Sequence, residues 1–195
     1  MTKKKPKMGQ VRIISGQWRS RRLPIHDLEG LRPTTDRVKE TLFNWISADL
    51  AGARVLDCFT GSGALSFEAL SRYANFAQMF ELQASAAKQL QQNLATLKCE
   101  QGQVIKGDTL TLLNTAPTEP FDIIFIDPPF RQQLAKPCIQ KLNTHQWLAP
   151  NALIYLETET EVALSSLNIP PHWMPLKEKV AGQVTYRLFQ STNTN

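Results

Sequence analysis

Five short apolar runs punctuate the chain: Arg54–Phe59, Phe76–Glu81, Gln103–Asp108, Phe121–Ile126 and Ala152–Glu157. Runs of this length, rich in β-branched and aromatic residues and bounded by turn formers, predict buried parallel strands. Between them the apolar positions recur at helical spacing. Val38, Leu42, Trp45 or Ile46, and Leu50 form one core-facing stripe, preceded by the N-cap types Thr34, Thr35 and Asp36. The run Ala64 to Tyr73 predicts a second helix, and Ala87, Leu90, Leu94 and Leu97 a third. Pro137 is suited to the first turn of a fourth, running towards Leu142. Trp173 to Val180 and Val184 to Phe189 predict a closing hairpin around Ala181-Gly182. Strand–helix alternation with that hairpin describes a doubly wound α/β fold, its sheet mostly parallel with an antiparallel edge.

The N-terminal third follows a different pattern. Val11 to Pro24 predicts a short β-hairpin turning near Ser15-Gly16-Gln17, and Met1 to Lys7 carries four lysines with almost no apolar content. The expected organisation is a basic disordered arm (1–10), a basic hairpin (11–30) and one α/β domain (31–195). Charge follows the same division. Residues 1–40 hold eleven of the 22 Lys+Arg but only four of the 17 Asp+Glu. A basic end on a near-neutral body suggests a polyanionic partner met by that end. Arg12, Arg19, Arg21 and Arg22 flank Trp18, a pattern that holds phosphates and stacks bases. Trp18 itself serves equally well to pack the hairpin onto the body.

The remaining composition excludes several classes. No apolar stretch is long enough to span a membrane, and the basic N-terminus lacks the apolar segment of a signal peptide. Cys58, Cys99 and Cys138 are widely spaced and odd in number, as free thiols in a reducing cytoplasm would be. His26, His145 and His172 are isolated, and no Cys or His pair has zinc spacing, so no metal is expected. A single compact domain makes a monomer the default.

The chemistry is carried by strand ends. Asp127-Pro128-Pro129-Phe130 stops its strand, since the prolines forbid helix and remove two N–H donors. The stiff loop that results offers a carboxylate, unpaired carbonyls and an aromatic ring. Asp127 and the Pro128 carbonyl can accept both hydrogens of an exocyclic amine while Phe130 stacks on the base; taken alone, the tetrapeptide could equally be a plain strand-ending turn. Asp57 is followed by Gly61 and Gly63, a strand–glycine turn–helix opening typical of nucleotide-binding folds. A dinucleotide fingerprint would carry a third glycine or alanine where Ser66 stands. An acid ahead of the glycines suits a cationic amino-acid head and would repel a pyrophosphate. Glu81, 24 residues after Asp57, is placed to accept from ribose hydroxyls. Asp108 could accept from an adenine amine, though an Asp after Gly is often only a turn.

Taken in order, Asp57 with Gly61 and Gly63, Glu81, Asp108, and Asp127-Pro-Pro-Phe130 resemble the class I S-adenosylmethionine-dependent methyltransferases of the amino-methylating branch. That resemblance implies a Rossmann-like seven-stranded sheet whose last strand is antiparallel. A narrower resemblance adds Arg12-Ile-Ile-Ser-Gly-Gln-Trp-Arg-Ser-Arg-Arg-Leu-Pro24, Leu31-Arg-Pro-Thr-Thr-Asp-Arg-Val-Lys-Glu-Thr-Leu-Phe-Asn-Trp45 and Leu56-Asp-Cys-Phe-Thr-Gly-Ser-Gly-Ala-Leu65. With Asp127-Pro-Pro-Phe130 these are similar to the bacterial RsmD family over nearly the whole chain. Membership implies methylation of the N2 amine of guanine 966 in 16S rRNA, within an assembled or partly assembled small ribosomal subunit. Asp127, Pro128 and Phe130 would then be catalytic; Asp57, Gly61, Gly63, Glu81 and Asp108 would hold S-adenosylmethionine; Arg12, Arg19, Arg21 and Arg22 would bind RNA. Ser20 and Ser66 stand where the family pattern has glycine, and both are expected to lie clear of the chemistry. An adenine-N6 methyltransferase of DNA shares the clamp but normally carries a larger target-recognition region. A nicotinamide dehydrogenase is disfavoured by Ser66 and the Pro-Pro loop. A vestigial RNA-binding module is disfavoured by the intact Asp127 and Glu81.

Overall fold

The computed structural model describes residues 9–25 and 35–192. The expectations for the lysine arm before Gly9, for His26, and for the loop up to Thr34 lie outside the described residues. Two short strands, β1 (Gln10–Arg12) and β2 (Arg22–Pro24), pair antiparallel as the N-terminal hairpin. Then follow α1 (Asp36–Trp45), β3 (Arg54–Asp57), α2 (Ala64–Ser71), β4 (Phe76–Glu81), α3 (Ala84–Leu97), β5 (Gly102–Lys106), α4 (Thr109–Leu112), β6 (Phe121–Ile126), α5 (Ala135–Thr144), β7 (Leu148–Glu159), β8 (Trp173–Ala181) and β9 (Val184–Ser191). A single 3₁₀ turn, Leu164–Leu167, links β7 to β8.

The seven strands β3 to β9 form one sheet in the order β5-β4-β3-β6-β7-β9-β8. All neighbours from β5 to β7 are parallel, and β9 runs antiparallel to both β7 and β8. The chain winds outward from β3 to β5, then returns to β6 on the other side of β3. The order therefore reverses between β3 and β6, and ligands of open α/β sheets bind at the carboxyl ends of such a pair.

Each strand alternates its side chains between the two faces. Val55, Phe125 and Tyr155 join a buried cluster with α1, α2, α3 and the hairpin, whereas Leu56, Ile124, Ile126 and Leu156 join a second cluster with α5 and Trp147. The expected helical stripes hold: Val38, Leu42, Ile46 and Leu50 are buried, as are Ala87, Leu90, Leu94 and Leu97. Each large apolar side chain so placed contributes about 1.5–3 kcal/mol. Thr35 is the N-cap of α1, its hydroxyl accepting from Val38 N–H at 3.4 Å.

Several element boundaries depart from the sequence expectation; β3, for one, ends at Asp57 and not at Phe59. β7 is twelve residues long and starts before Pro150, because Phe121 pairs with Leu148 while Ile123 pairs with Leu153. This irregularity absorbs the intervening Ala149-Pro150-Asn151, and Asn151 takes a φ of 60°. β5 stops at Lys106, not Asp108, because Asp108 leaves the ladder to cap α4.

The hairpin is docked firmly on the body. Glu68 of α2, fully enclosed, accepts from the backbone N–H of Ile14 (2.7 Å) and Ser15 (3.0 Å) and from Arg72 Nε (2.7 Å). Ser71 accepts from Trp18 N–H (3.0 Å) and donates to the Ser15 carbonyl (2.6 Å). Gly16 passes so close that a Cβ would lie 1.9 Å from the Ser71 carbonyl oxygen, and its φ is +83°. Only glycine fits there. The buried Lys39 donates to the Arg12 carbonyl (2.7 Å) and lies 3.3 Å from Asp36. Trp18 is half-buried against the same cluster, which is the packing role left open by the sequence.

Candidate active site

The carboxyl ends of β3, β4, β5 and β6 are laced together by backbone. Cys58 N–H donates to the Phe125 carbonyl at 3.0 Å, joining the β3 loop to β6. Thr60 N–H donates to the Phe80 carbonyl at 3.0 Å, joining it to β4. The Thr109 hydroxyl donates to the Cys58 carbonyl, and Gly107 N–H to the Glu81 carbonyl at 3.0 Å, bringing in β5. The glycine turn thus sits in a cradle whose walls are fixed relative to one another. Gly63 is the N-cap of α2 with φ +78°, and a Cβ there would lie 2.4 Å from the Phe67 ring.

Asp57 lies beneath this turn and is 2% exposed. Its Oδ2 accepts from the Ser66 hydroxyl at 2.6 Å, and backbone N–H groups of Phe59 and Ser66 also bond it. Burial raises its pKa to about 7, against the opposing pull of these donors. The expectation that Ser66 stands clear of the site does not hold. A glycine at position 66 would leave the carboxylate short of a donor, so the departure from the family pattern is itself part of the site.

Glu81 closes β4 and joins two loops. Its Oε2 accepts from Gly61 N–H at 3.0 Å and its Oε1 from Gln83 N–H at 2.7 Å. Burial raises its pKa, and the N–H bonds from Gln83, Gly61 and Leu82 offset part of that rise. A carboxylate has about four acceptor sites, so capacity remains for ligand hydroxyls. Asp108 is exposed and caps α4, its Oδ2 accepting from Thr111 N–H and hydroxyl, both at 2.8 Å. The turn role noted from sequence is therefore occupied.

At the end of β6, Asp127 is half-buried, Pro128 buried, Pro129 exposed and Phe130 half-buried. The loop beyond is pinned by a bond from Arg131 N–H to Glu159 Oε1, and Arg131 adopts a φ of 62°. Beside it, the Tyr155 hydroxyl donates to Glu157 Oε2 at 2.7 Å in a buried bond. Glu157 and Glu159 are missing from the sequence-based set, although Glu157 ends an apolar run just as Glu81 does.

Asp57, Glu81 and Asp127 are brought to one edge of the sheet, with Asp108 on its flank. The arginines are not: Arg12 binds Asp36 through Nε (3.1 Å) and Nη2 (2.7 Å), while Arg19, Arg21 and Arg22 lie exposed on the hairpin. A glycine cradle walled by three carboxylates fits a ligand that is cationic at one end and rich in hydroxyl and amine donors elsewhere. S-adenosylmethionine has that donor set.

Residues 11–190 match a family model described as "Conserved hypothetical protein 95". Ribosomal RNA small subunit methyltransferase D of Escherichia coli (strain K12) is 51% identical over 182 residues, 93% of this chain and 90% of that protein. Its namesake in Haemophilus influenzae is 50% identical over 186 residues, 94% of this chain and 95% of that protein. The solved structure of the putative methyltransferase yhhF from Escherichia coli superposes with a TM-score of 0.86 at 49% identity, covering 95% of this chain and 100% of that one.

Proposed function

The chain belongs to the RsmD family, and from that premise we propose that it methylates 16S ribosomal RNA at the exocyclic N2 of guanine 966. The substrate on this reading is an assembled or partly assembled small ribosomal subunit, met by a monomer in the cytoplasm. The observation that carries the reading is the placement of Asp127-Pro128-Pro129-Phe130 beside the glycine cradle at the β3/β6 reversal. Methyl acceptor and methyl donor would then meet across adjacent strand ends.

S-adenosylmethionine, when bound, supplies a methyl group on a positively charged sulfur that leaves as a neutral thioether. Gly61 and Gly63 let the backbone approach its amino-acid end; Glu81 accepts from the ribose hydroxyls, and Asp108 marks the adenine side. Asp57 and Glu81 both gain from a cationic neighbour, which favours their charged forms. Asp127 and the Pro128 carbonyl accept the two amine hydrogens of an unstacked guanine, and Phe130 covers its face. This grip draws the nitrogen lone pair out of conjugation and turns it towards the methyl carbon. As the N–C bond forms, the amine becomes acidic and its proton passes to Asp127 or to water. Most of the acceleration comes from holding the two reactants in line. Arg19, Arg21 and Arg22 supply phosphate contacts that position the RNA without reading its sequence.

The test uses small subunits lacking the modification, incubated with S-adenosylmethionine carrying a labelled methyl. Their rRNA is digested to nucleosides and analysed by mass spectrometry. Labelled N2-methylguanosine is the expected product. Labelled N6-methyladenosine would keep the clamp and overturn the guanine assignment; no label with cofactor bound would overturn the proposed substrate.

A further inference from the structure

β6 and β7 are parallel neighbours, with Phe125 opposite Tyr155 and Ile126 opposite Leu156. One residue further, Asp127 leaves β6 while Glu157 continues β7 towards its end at Glu159, so the two acids follow side by side on adjacent strands. They also share a face. Phe125 and Tyr155 belong to the buried cluster on the α1 side of the sheet, and Ile126 and Leu156 to the opposite one. Alternation then returns the next residue of each strand to the α1 side. For Glu157 the hydrogen bond from Tyr155, two residues earlier, bears this out. For Asp127 the sign is electrostatic: the Tyr155 hydroxyl, buried first of all, is further held neutral by the charges of both Glu157 and Asp127.

Glu157 is 7% exposed. Enclosing a carboxylate costs several kcal/mol unless hydrogen-bond donors compensate. Tyr155 provides one donor and fixes the orientation. A carboxylate has about four acceptor sites, so Glu157 can accept from a ligand as well. Its position beside the amine clamp gives it another use.

Guanine and adenine differ in what lies next to the exocyclic amine. Beside N2, guanine presents N1–H, a donor. Beside N6, adenine presents N1 with a lone pair, an acceptor. One carboxylate beside a carbonyl serves either amine. Two neighbouring carboxylates fit only the edge with adjacent donors, because a lone pair facing the second carboxylate is repelled.

We propose that Glu157, oriented by Tyr155, selects guanine by accepting its N1–H, while Asp127 and the Pro128 carbonyl hold the N2 amine. This rests on the guanine-N2 reading above and supplies its specificity. Glu157 touches the substrate; Tyr155 is a positioning residue acting through it. A site built to bond a substrate N–H rejects an analogue lacking it by up to about 10⁴–10⁵-fold.

The discriminating probe is 2-aminopurine, which keeps the amine at C2 but carries a lone pair at N1. Small subunits are reconstituted with rRNA bearing either guanine or 2-aminopurine at the target position. Methyl transfer is measured as kcat/KM for each, and cofactor affinity by titration calorimetry. The wild-type enzyme should prefer guanine by at least about 100-fold. Glu157→Gln presents an amide that can donate to the bare N1. It should lose guanine activity and narrow the preference at least tenfold, with cofactor affinity unchanged. Tyr155→Phe keeps the ring packing and should narrow it by a smaller factor, so a folding defect in either variant leaves the other informative. Wild-type transfer to guanine with an unchanged preference in both variants would overturn the role of Glu157. Failure of the wild-type enzyme to methylate guanine would overturn the guanine-N2 reading itself.

Discussion

Glu68→Ala tests whether the basic hairpin is a docked part of the enzyme. Glu68 is 0% exposed and accepts from two backbone N–H groups of the hairpin turn and from Arg72. Truncation leaves those donors without a partner. An orphaned donor costs about 1–3 kcal/mol. The Ile14 and Ser15 amides are part-buried, so water can recover some of this and about 1 kcal/mol each is reasonable. Arg72, 19% exposed, loses its carboxylate as well, and breaking a buried pair costs about 3–5 kcal/mol. Relief from desolvating Glu68 offsets part of this, leaving a net loss of about 3 kcal/mol. For a chain of this size that lowers Tm by about 6–12 °C. The loss should also be local. Hydrogen exchange should accelerate across residues 10–25, with β3 and β6 much less affected. Glu68→Gln, which keeps one acceptor, should show a smaller shift. Wild-type exchange at Ile14 and Ser15 in Glu68→Ala, or a Tm within about 1 °C of wild type, would refute the reasoning.

Other consequences follow from single sites. Removing Arg19, Arg21 and Arg22 together by substitution with Gln should weaken RNA binding and flatten its dependence on log salt by about 0.7–0.9 for each phosphate no longer neutralised, measured by filter binding over a salt series. Asp57 has a folded pKa of about 7 against 3.8 ordinarily, so the folded state holds a proton that the unfolded chain has released. Stability from this group is present below pH 3.8 and is lost as pH rises towards 7. Asp57→Asn should therefore flatten the decline of denaturant midpoint across that window. Ser20 adopts φ +68°, where a side chain costs about 1–2 kcal/mol. Ser20→Gly should raise stability by about 0.5–1 kcal/mol in urea unfolding, after the entropy that glycine adds to the unfolded chain.

The strand ends were legible because a buried parallel strand is an uninterrupted apolar run, and an acid closing such a run stands out. That reasoning located Asp57, Glu81 and Asp127 at one edge of the sheet. Glu157 closes Ala152–Leu156 in the same way, but it lacks a spacing from the glycine turn of the kind that singles out Glu81. Glu68 was hidden for a different reason. In an Ala-Leu-Ser-Phe-Glu-Ala-Leu-Ser helix, one acid is read as the solvent face, yet every residue of α2 is buried because the hairpin covers it. Lys39 is concealed likewise: its partners are the Arg12 carbonyl and Asp36, and a bond to a strand 27 residues away leaves no periodic trace. The role of Ser66 needed the fold, since only α2 lying over β3 brings position 66 to Asp57.

The separation of a cofactor cradle from an amine clamp is tested most directly with Asp127→Ala. Single-turnover transfer of labelled methyl to small subunits lacking the modification would be measured beside S-adenosylmethionine affinity by calorimetry. Transfer should fall below detection while cofactor affinity stays within about threefold of wild type, a difference of under 1 kcal/mol. Loss of cofactor binding, or transfer that continues at the wild-type rate, would contradict the assignment of Asp127 to the reacting amine.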